Sequence, residues 1–394
     1  MNIKISRTAI IPDPIRISRY HKAPELGPKI LFFSGGSALN GLSQQLKNFT
    51  HNSIHLVTPF DSGGSSAKLR HAFDMPAIGD LRSRMMALAD ETITGHPDVY
   101  RLFTYRLSTQ KSQKVLRQQL LGMVAGKDPL IQAISNPMRR LIRNLLGFFT
   151  RQVPDNFNLR GASIGNLALT GGYLNNHRHL DPVIFLFSKL VSVQGTVRAV
   201  VNDNLHLAAE LDSGEILVGQ HRMTGKEVKP IQSRIKHLML SSHPDKYVAA
   251  EATIRKKNRK MILGADLICF PPGSFYSSLI ANLLPEGVIS AIASNKNPKI
   301  FIPNLGKDPE QPGMTLKASI DSLLMVMKQA APDAPTSALL NFILFDSKNG
   351  SYTGPVPYAL KKKGIEFIDT TLISPDSAPY YDPVLLSNAI LSLV

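Results

Sequence analysis

Two aspartates and three glycine–serine turns hold the residue types best suited to chemistry in this 394-residue chain. Asp61 follows the apolar run His55–Phe60, where a strand would end. A carboxylate there can give an oxygen ligand to a Mg2+ ion bridging phosphates; capping a turn is the other role open to it. Asp80, in Gly79-Asp80-Leu81-Arg82, can share that metal or a ligand hydroxyl, or else N-cap the helix this segment opens. Gly35, Gly36 and Ser37 follow Lys29–Phe33; Gly63, Gly64 and Ser65 follow Asp61; Gly273 and Ser274 follow Leu267–Phe270. Each turn predicts a strand emptying into a loop before a helix. Such a loop leaves backbone N–H groups free for an anion such as phosphate, although an ordinary tight turn would use the same residues. Arg82 and Lys68 offer cations to phosphate, and Asn166 offers a donor and an acceptor to a nucleobase or acceptor substrate. His206 and His221 are weaker candidates, because a histidine in an alternating strand is more often hydrogen-bonded structure than catalyst.

These residues need a scaffold, and the pattern predicts a doubly wound, Rossmann-like α/β fold with a mostly parallel sheet and its crevice at the strand carboxyl ends. Residues 28–106 read as strand, glycine loop, helix, strand, glycine loop and helix. A third unit runs from Leu267 into the helix Phe275–Leu284, and Lys299–Pro303, Asn341–Phe345 and Ile365–Asp369 suit further parallel strands. Residues 197–201 and 205–211 alternate like strands about the turn Asn202-Asp203-Asn204, and a second turn, Asp212–Glu215, leads to Ile216–Val218; the stretch predicts a small antiparallel hairpin addition to the main sheet. Residues 107–158 are basic and helix-like, a helical insertion or a cap over the crevice. Residues 1–28 read as a flexible or surface-packed arm ahead of one α/β domain over 29–394.

Composition removes several classes. The single cysteine, Cys269, excludes an internal disulfide framework and a cysteine-based zinc cluster. No GxGxxG, GxxxxGK[ST], GxSxG or HExxH pattern occurs, which disfavours common dehydrogenases, P-loop NTPases, α/β-hydrolases and zinc proteases. No apolar stretch approaches the ~18 residues of a membrane span, so a cytoplasmic location is the default. The net charge of +16, from 45 Lys+Arg against 29 Asp+Glu, draws phosphorylated ligands. Its clusters at 111–117, 139–151 and 255–260 read as solvated helix faces, or as a contact surface for an acidic protein partner or a membrane surface. Nucleic acid is disfavoured, since aromatic residues are few there and no recognised module appears. A homodimer is expected only because dimers are common.

Taken in order, several segments resemble one family. They are Gly35-Gly36-Ser37, Asp61–Ser66, Gly79–Arg82, Gly161–Leu167, Asn202–Leu207, Gly219–Arg222 and Pro272–Leu279. The set resembles the CofD-like superfamily over roughly residues 29–305. That superfamily includes 2-phospho-L-lactate transferases of deazaflavin-coenzyme synthesis and bacterial gluconeogenesis factors. Gly63-Gly64-Ser65-Ser66 and Gly79–Arg82 are similar to the gluconeogenesis-factor branch. The resemblance implies a nucleotide diphosphate or nucleotide-linked ligand, such as a nucleotide sugar, in the crevice. It also implies either transfer of a phosphoryl-linked group to an acceptor hydroxyl or non-catalytic metabolic regulation. The pattern departs where Ser62, Ala162 and Ser83 replace the branch's usual acid, histidine and asparagine. Those changes put a metal contact or proton-transfer group in doubt.

Overall fold

The computed structural model describes residues 8–394. Its centre is β1 (Ile30–Ser34), whose alternate side chains face opposite cores: Leu31 and Phe33 on one side, Ile30 and Phe32 on the other, all four without exposure. A strand buried on both faces belongs inside a parallel sheet covered by helices. The remaining strands are β2 (Ile54–Val57), β3 (Thr196–Ala199), β4 (His206–Leu211), β5 (Ile216–Val218), β6 (Ile235–Ser241), β7 (Ala249–Ala250), β8 (Leu267–Phe270), β9 (Lys299–Phe301), β10 (Phe342–Phe345) and β11 (Glu366–Asp369). Seven form one parallel sheet, ordered β11-β10-β9-β8-β1-β2-β3, and four form an antiparallel sheet, ordered β5-β4-β6-β7. The α/β reading therefore holds, with its small antiparallel addition. Strand order reverses direction between β1 and β8, which pair through Ile30↔Leu267 and Phe32↔Cys269. The loops after both strands flank that switch point, where open α/β sheets place their ligands.

The expected hairpin forms at 206–218, where β4 and β5 pair antiparallel about the turn 212–215, but 197–201 is not part of it. β3 pairs in parallel with β2 at the edge of the main sheet, whereas β4 pairs with β5 and β6 in the small one. Asn202-Asp203-Asn204 thus carries the chain between sheets. Residues 229–260, whose composition predicts only a basic surface, contain β6, β7 and the start of the helix Lys256–Leu263. Leu207, Ala209 and Leu211 of β4 join the core formed by Leu31 and Phe33, so the antiparallel sheet covers one face of the parallel one.

Asn258 locks this corner. Its Nδ2 donates to the Ala199 and Val200 carbonyls at 2.8 and 3.0 Å, and its Oδ1 accepts from Arg198 Nε at 2.5 Å. Arg198 in turn pairs with Asp181 at 2.8 Å. Asn258→Ala is expected to destabilise the chain by about 2–3 kcal/mol, because buried carbonyls and a guanidinium lose their partner. Urea unfolding checks this, and an unchanged midpoint would show that water satisfies the site.

The helical insertion is present as Gln113–Ala125, Pro129–Gln132 and Met138–Gln152; the last packs on the helix Ile164–Asn175, and the first two pack on it in turn, within one core that includes Leu116, Leu120, Ile142, Leu146 and Phe149. Part of its positive charge is internal. Arg143 Nε donates to Val124 O at 2.7 Å, Arg139 Nε to Ile134 O at 2.6 Å and Arg117 to Asp155 O at 2.6 Å, satisfying carbonyls that helix ends and turns leave open. Within the N-terminal arm, Pro14–Lys22 is a helix capped by Asp13 and docked on the C-terminal helix Pro383–Leu391: Arg16 donates to Ser392 O at 3.0 Å and Tyr20 to Val394 O at 3.1 Å. Among the described residues no helix is long and apolar enough to cross a membrane.

Candidate functional site

A polar crevice of about 330 Å³ opens at the carboxyl ends of β1, β2 and β8. Gly36 and Ser37, Asp61, Gly63, Gly64 and Ser65, Asp80 and Arg82, Asn166 and Ser274 all border it. Two other candidates lie just outside. Gly35 packs under the loop, where an added Cβ would meet Ser278 Oγ at 2.7 Å. Gly273 lines an adjoining cavity of about 590 Å³, which has Tyr380 and Tyr381 on its far wall. Lys68 also faces a neighbouring cavity rather than the crevice itself.

The glycine-loop amides, expected to be open to an anion, are not free. Gly36 N donates to Asp80 Oδ2 at 2.7 Å, Gly63 N to Asp61 Oδ1 at 3.1 Å and Gly64 N to Glu227 Oε1 at 2.7 Å. Gly273 N donates to Asn304 Oδ1 at 2.7 Å. Beyond β8 the chain enters a π-helical turn, Phe275–Ile280, of a kind often found at functional sites. There Phe275 N donates to Asp308 at 2.8 Å, and the Tyr276 and Ser277 amides donate to Glu310 at 2.9 and 2.8 Å. Carboxylates of the chain's own thus occupy positions a phosphate would favour.

Asp80 is not the cap of its helix. Ile78 holds that position, and Asp80 reaches across to the first glycine loop. Burial, followed by the nearby charge of Asp61, pushes the Asp80 carboxyl up to about 6 despite the opposing Gly36 amide, Arg84 and Lys226. Arg84 is the functional residue that sequence reasoning passes over. It is 1% exposed, donates to Ser43 Oγ at 2.7 Å and Gly36 O at 3.2 Å, and so backs both the loop and Asp80. Burial brings Arg84 and Arg82 each down to about 10, and for Arg82 the charge of Arg106 adds to the effect.

Among the described residues, no group of three or more His, Cys, Asp or Glu could hold a metal. Asp61 and Asp80 form only a pair, which suits Mg2+ because that ion commonly keeps water and phosphate oxygens beside one or two carboxylates. The two carboxylates border one polar crevice, a donor set of the hard-oxygen chemistry that Mg2+ takes. Two buried atoms on the same wall, Asn166 Oδ1 and Arg82 Nε, have no partner. The histidines are less promising. Burial and then Arg70 lower His206 to about 4, and His221 is tied to Ser62 at 2.9 Å. Cys269 is buried, and that burial raises its thiol well above the usual value.

Known proteins agree with this architecture. The gluconeogenesis factor of Bacillus subtilis is 27% identical over 289 residues, covering 73% of this chain and 70% of that one. That of Halalkalibacterium halodurans is 24% identical over 296 residues, covering 75% and 72%. A crystal structure of a UPF0052-family protein from Bacillus halodurans superimposes with a TM-score of 0.66 at 22% identity, covering 93% of this chain and 99% of that one. The family model described as 2-phospho-L-lactate transferase CofD matches residues 30–372, and on that match the chain belongs to the CofD family.

Proposed function

We propose that the crevice binds a nucleotide diphosphate with Mg2+, and that the chain transfers a phosphoryl-linked group from it to an acceptor hydroxyl, as a 2-phospho-L-lactate transferase does. The observation that supports this most is the placement of Asp80 near Asp61 in a polar crevice bordered by the glycine loops. Asp61 and Asp80 would hold Mg2+, which supplies charge neutralisation for the phosphates. Arg82 adds a fixed cation, and the Ser37, Ser65 and Ser274 hydroxyls and loop amides orient the phosphate oxygens. An incoming phosphate replaces Glu227 on the Gly64 amide. Chemistry of this kind rests on positioning and electrostatics and needs no covalent nucleophile; the Cys269 thiol is sealed in the core.

A second reading, a nucleotide-sugar-binding regulator without turnover, draws on the relatives named gluconeogenesis factors and on Ser62 and Ala162, which bring no carboxylate or imidazole to the site. In that case the exposed insertion cations Lys111, Lys114 and Arg140 offer a docking face for a protein partner.

Calorimetry with GDP, UDP, UDP-sugars and a deazaflavin, with and without Mg2+, tests the proposal. At least one nucleotide should bind and weaken tenfold or more when Mg2+ is removed. Affinity should also fall as pH drops through about 6, because protonated Asp80 no longer attracts the cation. Binding that ignores both Mg2+ and pH would remove the metal from the proposal; no binding to any nucleotide would overturn it. Turnover of the bound donor then separates transferase from regulator.

A further inference from the structure

One hydroxyl on the crevice wall is held by a buried acid. Ser274, Ser277 and Ser278, at the π-helical turn, all border the crevice. Behind them the segment 304–310 folds back and meets the turn with its own polar atoms. Asn304 Oδ1 accepts from Gly273 N at 2.7 Å, and Asp308 Oδ2 from Phe275 N at 2.8 Å. Glu310 Oε2 takes both the Tyr276 and Ser277 amides, at 2.9 and 2.8 Å. Its Oε1 is left to the Ser277 hydroxyl, which donates to it. Glu310 is 1% exposed and Ser277 3%, so water does not compete for this bond. The leading amides of the turn are thus engaged, and the Ser277 side chain is what the same residues can still offer a ligand. A hydroxyl has one proton, and here it is committed to Glu310. What remains for the crevice is an oxygen lone pair, which a phosphate oxygen repels.

Among the described residues Glu310 has no ion-pair partner. The titratable and charged groups around it are Asp308 on its own loop, the Tyr276 hydroxyl on the turn and, beyond Tyr276, Arg234 and Asp212; Lys226 acts on Asp308. Burial, and next the charge of Asp308, push the Glu310 carboxyl up to about 7, against the pull of Ser277 and the two amides. Both protonation states are therefore within reach near neutral pH. A neutral Glu310 reverses one hydrogen bond. Its Oε2 still accepts the two amides, while its Oε1 takes a proton from water and donates it to Ser277 Oγ. The Ser277 proton, released from Oε1, turns to the crevice. We infer that Glu310 is a positioning residue that sets whether Ser277 donates or accepts, so that the crevice takes up a diphosphate together with one proton. The role rests on the nucleotide reading of the crevice and deepens it. No covalent bond other than the O–H changes, and the arriving negative charge itself favours neutral Glu310.

Calorimetry with Mg2+ and UDP-glucose or GDP-mannose tests this, because a diphosphate esterified at both ends does not itself titrate near neutral pH. Wild type is compared with Glu310→Gln and Ser277→Ala at pH 7 and 8.5. At pH 7.5, two buffers of different ionisation enthalpy count the protons. Wild-type affinity should fall about tenfold between pH 7 and 8.5, with uptake of about half a proton or more per ligand at pH 7.5. Glutamine keeps an oxygen for the two amides and gives an N–H to Ser277, the pattern of neutral glutamic acid. Glu310→Gln should therefore bind at pH 8.5 at least as tightly as wild type, change less than about twofold with pH and take up no proton. A merely structural glutamate would lose affinity at both pH values on that substitution. Ser277→Ala should bind about tenfold or more weaker at pH 7 and lose the pH dependence and the proton uptake. Uptake in wild type that Ser277→Ala lacks decides for the pair even where Glu310→Gln folds poorly. Ligand binding by wild type without proton uptake, or weaker binding at pH 8.5 by a folded Glu310→Gln, overturns the role of Glu310 and leaves the nucleotide reading standing. Failure of both nucleotide sugars to bind wild type at either pH overturns both.

Discussion

Asp80→Asn is expected to lower Mg2+-dependent nucleotide affinity by a hundredfold or more and, at pH 8 without ligand, to leave the chain at least as stable as its parent. The two effects have one cause. Folding buries Asp80 beside Asp61, and these two influences outweigh the attraction of Arg84 and Lys226, so its carboxyl rises from 3.8 to about 6. The sign follows. Between about pH 4 and 6 the folded chain keeps a proton that the unfolded chain has lost, so stability declines as pH rises through that window. Above it, ionised Asp80 carries a penalty on the order of 1–3 kcal/mol, bounded by the size of its shift. Asparagine escapes that penalty and can still accept the Gly36 amide, although Arg84 loses its charged neighbour. The proposed Mg2+ site would lose one of its two carboxylates. Urea unfolding at pH 4.5 and 8, with calorimetry alongside, reads both halves. A variant that binds as before, or that is clearly less stable at pH 8, contradicts the account.

Gly171→Ala is expected to cost about 3 kcal/mol or more and to weaken ligand binding as well. Gly171 lies on the buried helix Ile164–Asn175 where it crosses Met138–Gln152, and an added Cβ would stand 1.9 Å from Leu145 O and 2.9 Å from Phe149 N. Those atoms are backbone, so no rotamer change relieves the overlap and the helices must separate. Alanine's better helix propensity returns only ~1 kcal/mol, against overpacking penalties of about 1–3 kcal/mol or more when backbone moves. The same helix carries Asn166 into the crevice, so separation also displaces a site residue. Chemical denaturation and calorimetry would show both losses. Unchanged stability would mean that this helix pair is looser than its geometry indicates.

The parallel sheet was legible because β1, β2 and β8 are apolar runs ended by glycine turns, and local pattern alone marks such units. Candidate site residues were legible for the same reason, since the turns bring them to one edge. What escaped was set at long range. The alternation at 197–201 and 205–211 is a true strand signal, but it does not say which sheet each strand joins. Asp80 has the sequence context of a helix cap, and only the approach of the first glycine loop draws it elsewhere. Arg84, Glu227 and Glu310 look like ordinary surface charges in one dimension. Their roles depend on what lies opposite: the Gly36 loop, the Gly64 amide and the π-helical turn. Asn304 and Asp308 sit in a Pro- and Gly-rich loop with no periodicity to mark them.

The pairing of β1 with β8 also governs when the crevice can exist. Lys29 N meets Asp266 Oδ2 at 2.8 Å across a sequence separation of 237, and the neighbouring strand ladder spans the same distance along the chain. Closing a loop of that size is entropically slow, and parallel pairing offers no short hairpin route to it. A ribosome must therefore emit more than two-thirds of this polypeptide before the third glycine turn can join the first two. The N-terminal βα units can order earlier as a scaffold, but the proposed ligand capture belongs to the last stage of maturation. Nucleotide present during synthesis would act on the closing step alone, trapping the completed sheet rather than guiding its early parts.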